Sequence, residues 1–407
     1  CLFLLHNFLP SVLFLPLETA WGAAKISKLR LHLIFISLER YTKRVKMHKF
    51  LVDMGNNTIL QKDMEDLAAV SPILRELRNV TVLVTGATGL IGRHCISALM
   101  ALNDLYDANV RVVALARNQK KTEDLFQDFL HSENLKLVYA DLLSDWQIEE
   151  DLDYIIHGAS ATDSSFFVEH PVETIDLAVN GTKKLLELAK NKQVHSMVYL
   201  SSLEVYGTTN PDASSISEKD YGYLDPTSVR SSYSESKRMA ESLCVGYCHQ
   251  YQVPVKMARL SQTFGPGVSY EDNRVFAQFA RAVLEKRDIV LRTKGETVRN
   301  YCYTKDAIEA IFYILLKGQA GQAYNVANKE TAISIREMAE MVIERSGSHE
   351  SKLVFDLAED VEKLGYNPTV KIRLNTDKLE SLGWQAHTDL ETMFLRLIES
   401  MAADRKK

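Results

Sequence analysis

From Val80 onward the apolar positions alternate between two patterns. Short runs of aliphatic and β-branched residues predict strands at 80–85, 110–115, 135–139, 153–157, 196–201 and 254–258. Stretches with helical spacing predict helices near 91–102, 119–130, 172–191 and 231–251. Strands that alternate with helices predict a parallel sheet covered on both faces. The expected fold class is α/β, with a doubly wound parallel sheet over 78–258 and a smaller mixed C-terminal domain over 259–402. A segment near 298–317 is expected to return to the first domain.

The chain before this point reads differently. Leu2–Leu17 is apolar but broken by His6, Pro10 and Pro16, too short and interrupted for a membrane span. Its basic residues Lys25, Lys28 and Arg30 follow the apolar run, where a signal peptide has them before it. Residues 1–46 are therefore expected to be an upstream or non-native extension, with translation starting at Met47. Residues 47–77 form a lead-in. Ile59, Leu60, Met64, Leu67, Ile73, Leu74 and Leu77 predict one or two short helices interrupted at Pro72 and packed beside the first strand.

A net charge of −5 gives no reason to expect nucleic acid as a partner. No membrane association is expected. The five cysteines are scattered and lack metal-ligand spacing, so no metal is expected and a reducing, cytoplasmic setting fits. Cys244 and Cys248, four apart on a predicted helix, read as buried small residues.

The first predicted strand runs into Gly86, Gly89 and Gly92, and a helix opens directly behind them. Gly86 permits a tight turn, Gly89 lets backbone approach a pyrophosphate, and Gly92 brings helix and strand close. The helix start at Leu90 and Ile91 offers free N–H groups to phosphates. This is the opening of a Rossmann-type, dinucleotide-binding fold. The second strand ends at Ala116-Arg117 with no acid to hold the ribose hydroxyls of NAD. Arg117 suits a 2′-phosphate, which keeps NADP beside NAD as the cofactor. Asp141, after the third strand, reads alternatively as the N-cap of a helix at 144–150.

Further along, Ser201-Ser202 end a strand, and Tyr233-Ser-Glu-Ser-Lys237 puts a phenol and an ammonium on one helical face. An ammonium near a phenol favours phenolate, which predicts a lowered Tyr233 pKa and a general base. Asp306 is expected to cap a helix at 306–317. Ser334 with Glu337 reads as a capping box. A final helix is expected at 388–402.

These motifs resemble the extended short-chain dehydrogenase/reductases, and more closely the NAD-dependent sugar-nucleotide epimerase/dehydratase family, over about residues 78–400. The resemblance implies Ser202 as the catalytic Ser/Thr, Tyr233 as the base and Lys237 as its partner on the nicotinamide ribose. It places Asp141 and Leu142 at the adenine, and His157-Gly158-Ala159-Ser160 along the cofactor. Arg259-Leu-Ser-Gln262-Thr-Phe-Gly-Pro266 resembles a segment with Asn where Gln262 stands. Arg274 and Arg299 fall in segments whose arginines clamp the nucleotide diphosphate. Ala178 stands where the family usually has Asn.

The resemblance implies transient oxidation at C4 of a sugar nucleotide. Dehydratases carry an Asp-Glu pair where this chain has Leu203-Glu204. UDP-glucuronate decarboxylases are closer in motif, through Ser/Thr-x-Glu-Val-Tyr-Gly, Arg230 three residues before Tyr233, and Arg274-Val275. Glu204 is then a fourth catalytic candidate and Arg230 a substrate-binding one. Decarboxylation is the leading expectation, with 4-epimerisation or 4,6-dehydration as alternatives. A non-catalytic dinucleotide-binding scaffold is the alternative of another class. A homodimer is expected through the helices at 172–191 and 231–251, with Leu185, Leu188, Met239, Leu243 and Tyr247 as contacts.

Overall fold

The computed structural model describes residues 58–210, 212–347, 350–357 and 370–405. The expectations for 1–46 and for a start at Met47 lie outside the described residues. Each short apolar run from Val80 becomes a strand. The strands are β1 Thr81–Thr85, β2 Arg111–Ala116, β3 Leu135–Tyr139, β4 Tyr154–His157, β5 Ser196–Ser202 and β6 Val255–Leu260. They continue as β7 Gln262–Phe264, β8 Ile289–Leu291, β9 Val298–Tyr303, β10 Ala323–Val326, β11 Asn328–Ser334 and β12 Leu353–Phe355. The central sheet has the order β10-β6-β5-β4-β1-β2-β3, and every pair is parallel. Its strand direction of growth reverses between β1 and β4, and a crevice opens there beyond the carboxyl ends. The expected doubly wound sheet is present, with a smaller mixed sheet, β11-β9-β7, in the C-terminal region.

The helices are α1 Thr58–Val70, α2 Leu90–Tyr106, α3 Gln119–Leu125, α4 Ser164–Glu169, α5 Pro171–Lys192 and α6 Ser231–Tyr251. After them come α7 Val275–Leu284, α8 Thr304–Lys317, α9 Ile335–Arg345, α10 Asp377–Glu380 and α11 Leu390–Asp404. One face of the sheet is covered by α5 and α6. Leu185, Leu186, Cys244 and Tyr247 pack there against Leu83, Ile155, Met197, Tyr199 and Val255. In the C-terminal region Phe264, Phe276, Met338, Phe394 and Leu397 form a second cluster. Ser334 and Glu337 make the expected capping box on α9.

Four expectations need correction. Residues 144–150 form no helix. Ile148 and Leu152 both insert into the core from an irregular segment. The Asp141 carboxylate accepts the N–H of Leu143, at 2.8 Å, two residues on in a turn rather than at a helix start. Asp306 does not cap α8, which starts two residues earlier; its carboxylate accepts the N–H groups of His387 (3.1 Å) and Thr388 (2.9 Å). The helix α1 packs on α2, α8 and α11 rather than beside β1. Of the five residues expected at a dimer interface, Leu185 and Tyr247 lie in the core and Leu188 and Leu243 pack against it, leaving Met239 exposed.

Candidate active site

A cavity of about 770 Å³ lies at the reversal point, and all but one of the candidate residues line it. The turn from β1 to α2 forms its first wall. Gly86 has φ +69°, and a Cβ there would stand 2.6 Å from the carbonyl of Gly158. A Cβ on Gly92 would stand 2.3 Å from the Gly86 oxygen, so the third glycine lets α2 close on the turn itself. Gly89, Leu90, Ile91 and Gly92 then face the cavity at the start of α2. This cradle fits a dinucleotide pyrophosphate, which needs backbone donors and no side chain in the way.

The turn after β4 is held from behind. The Thr85 hydroxyl lies 2.7 Å from His157 Nδ1 and accepts the Ala159 N–H at 3.3 Å. His157 Nε2 lies 3.2 Å from Thr182 Oγ1. Burial, with the nearby Lys237 charge, drops the imidazole to about 3, so His157 works as a neutral link. Ala159, Ser160 and Leu142 line the cavity beside it. At its mouth Arg117 lines the wall together with Lys121. Asp141 is not among the lining residues; it stands 3.9 Å from the Arg117 guanidinium.

The carboxyl end of β5 and the start of α6 bring Ser202, Tyr233 and Lys237 together. Ser202 stands close enough to the Tyr233 phenol to favour its ionised form, and its oxygen accepts the Glu204 N–H at 3.2 Å. The Lys237 ammonium donates to the Leu200 carbonyl at 2.8 Å and lies 5.7 Å from the Tyr233 ring centre. The expected lowering of the Tyr233 pKa is not found. Burial raises the phenol above its ordinary value, Glu204 adds to the rise, and Ser202, Arg230 and Arg274 act against it. Lys237 is itself lowered to about 8 by burial, with Glu241 holding it up.

The arginines are committed in different ways. Arg230 reaches both Glu204 oxygens, at 3.3 Å each, and Ser234 donates to the same carboxylate at 3.1 Å. Arg274 is paired with Asp272 at 2.6 Å. Arg299 Nε, Arg230 Nε and Ser261 Oγ are buried without a hydrogen-bond partner among the described residues, and these residues line the cavity with Gln262. Unpaired polar atoms of this kind invite a polar ligand.

Several neighbours were not read from the sequence. Glu241 continues the four-residue spacing of Tyr233 and Lys237, a signal that was available. Its carboxylate holds Arg259 at 2.6 Å and accepts from Ser201 at 2.6 Å. Phe167 carried no comparable signal, because only the tertiary fold brings it here.

The sequence pattern of the NAD dependent epimerase/dehydratase family matches residues 82–327, and the chain belongs to that family. UDP-glucuronic acid decarboxylase 6 of Arabidopsis thaliana is 28% identical over 307 residues, which cover 72% of this chain and 86% of the relative. The dTDP-D-glucose 4,6-dehydratase of Bos taurus is 26% identical over 319 residues, 75% of this chain and 83% of the relative. Among solved structures, UDP-glucuronic acid 4-epimerase from Bacillus cereus in complex with UDP-glucuronic acid and NAD has a TM-score of 0.64. It is 19% identical and spans 79% of this chain and 99% of that one, a likeness of fold.

Proposed function

We propose that the chain is a nucleotide-sugar enzyme that decarboxylates UDP-glucuronate through a transient 4-keto sugar. The observation behind this reading is the meeting of Ser202, Tyr233 and Lys237 in one cavity with the glycine cradle. The similarity to UDP-glucuronic acid decarboxylases adds the substrate class. The glycine cradle and Lys237 would hold a nicotinamide dinucleotide, which when bound would supply reversible hydride transfer at C4. Tyr233 takes the proton of the C4 hydroxyl and later gives it back. Ser202 hydrogen-bonds the same oxygen, and Lys237 fixes a ribose. Oxidation at C4 lets the C5–C6 bond break, with the C6 carboxylate leaving as carbon dioxide and the electron pair drawn into a C4–C5 enolate, which then takes a proton from water at C5 to restore the 4-keto sugar.

Leu203 favours this outcome over dehydration. It is buried in a cluster with Val205, Tyr206 and Ile216, so it offers no proton to a leaving hydroxyl. Arg230 is best read as the residue that holds Glu204, which leaves Gln262, Arg274 and Arg299 for the sugar nucleotide. The dinucleotide is NAD in this reading. A second reading, NADP, is favoured by Arg117 just after β2 and Lys121 on α3, both of which line the cavity. The protein works in the cytoplasm as a homodimer.

The test is incubation with a panel of sugar nucleotides and mass spectrometry of the products and of any co-purified dinucleotide. UDP-glucuronate is expected to lose the mass of carbon dioxide. Loss of water from a hexose nucleotide would replace this reading with dehydration, and unchanged mass with inverted C4 would replace it with epimerisation.

A further inference from the structure

Phe167 sits on α4, a six-residue helix capped by Asp163, whose carboxylate accepts the N–H groups of Ser165 (2.8 Å) and Phe166 (3.4 Å). Its neighbours Phe166 and Val168 are exposed, whereas Phe167 is 2% exposed and still lines the cavity. It belongs neither to the two apolar clusters described under the fold nor to the one that holds Leu203. Its ring instead lies flat on that of Tyr233, with centroids 4.3 Å apart and planes 9° from parallel. The Arg230 guanidinium stands 5.1 Å from the Phe167 ring centre. The Ser232 hydroxyl donates to the Phe167 carbonyl at 3.1 Å, tying α4 to the first turn of α6.

We propose that Phe167 is a positioning residue for the base, pinning the Tyr233 ring and carrying the guanidinium that holds Glu204. This rests on Tyr233 being the base. The geometry states what the stack does. A tyrosine at the start of a helix has two side-chain torsions: rotation about Cα–Cβ sweeps the hydroxyl away from the substrate, and rotation about Cβ–Cγ turns the ring about an axis through the hydroxyl oxygen. A flat neighbour held by its own backbone removes that freedom. A general base works only within hydrogen-bond reach of the proton it takes. A misplacement of about 1 Å costs on the order of a hundredfold in rate. The same ring excludes water from one face of the phenol. It also offers its negative face to Arg230, whose forked contact then fixes Glu204.

Three variants of the full chain separate positioning from plain packing: Phe167→Ala, Phe167→Leu and Phe167→Tyr. The first readout is kcat and KM against pH on the sugar nucleotide that the wild type turns over. The second is the NMR titration of tyrosines labelled at Cζ, with Tyr233 assigned through Tyr233→Phe. Phe167→Ala is expected to lower kcat by about tenfold or more with KM changed less than about threefold. Its Tyr233 phenol is expected to titrate at lower pH than in the wild type, since cover is lost. Phe167→Leu keeps some cover but no stack, so it should lose rate with a smaller change in titration. Phe167→Tyr should restore both. A folded Phe167→Ala protein with wild-type rate and wild-type titration overturns the proposal. So does an equal loss of rate in all three variants with no change in the Tyr233 titration. A wild type inactive on every sugar nucleotide would sink the proposed reaction, while the titration would still decide whether Phe167 governs Tyr233.

Discussion

A phenol buried like that of Tyr233 keeps its proton until charge acts on it. The forces are visible one residue at a time: burial and Glu204 raise it, and Ser202, Arg230 and Arg274 draw it down. Tyr233→Phe should leave dinucleotide binding intact and lower turnover by at least about a hundredfold, the usual worth of a positioned base. Near-normal turnover would remove Tyr233 from its role. Lys237 makes a separate prediction. Burial lowers its ammonium from 10.5 to about 8, so the charge is complete below that pH and is lost as pH rises through it. Dinucleotide affinity, measured by fluorescence between about pH 6.5 and 9.5, should therefore weaken across pH 8. Arginine stays charged throughout that range, so Lys237→Arg should flatten the profile even if binding is weaker overall. A wild-type profile with no inflection in that window would show that the ammonium contributes nothing to binding.

The helix α1 precedes the segment that matches the family, yet it braces the site from behind. A Cβ on Gly267, which lines the cavity with φ +86°, would stand 2.7 Å from Leu60 Cδ1 and 3.2 Å from His94 Cε1. Asp63 accepts the Tyr303 hydroxyl at 2.5 Å and pairs with Arg396, whose Nε donates to the same hydroxyl at 2.6 Å. One carboxylate thus joins α1, β9 and α11. Asp63→Ala should cost about 1.5–3 kcal/mol in urea unfolding, the range for hydrogen bonds to charged groups. A loss below about 0.5 kcal/mol would show that the network is idle. This element also marks where the sequence could be read and where it could not. Strands β1 to β6 of the sheet were legible because each is a short apolar run closed by a turn. The glycine turn and Tyr-x-x-x-Lys were legible because their chemistry sits at fixed local spacing. The four-residue β10 and the six-residue α4 were too short to show a period. Asp63 and Phe167 look like ordinary lead-in or loop residues until the fold closes around them. The helix read at 144–150 behind Asp141 is instead an irregular segment, in which Ile148 reaches the core without helical hydrogen bonds.

At the scale of the whole molecule, α5 and α6 lie side by side and spend their inward positions on their own sheet. What they leave outside is Val172, Ile175, Met239 and Val245, exposed by 73%, 44%, 53% and 46%. Single exposed apolar residues are ordinary, but four on adjacent helices invite cover. The proposed cover is a second copy meeting the same surface about a twofold axis, where each residue faces the partner's equivalent region. A stable interface of this kind buries about 800 Å² on each partner, which two helices of 22 and 21 residues can present. Charge placed on the patch would then face like charge across the axis and lose its hydration. Sedimentation at micromolar concentration should show a dimer for the unaltered protein. The double variant Val172→Asp with Met239→Asp should sediment as a monomer while keeping its thermal midpoint within a few degrees, because neither side chain reaches the core. A monomeric wild type would end the proposal. So would a double variant that remains a dimer, because the contact would then lie on another face.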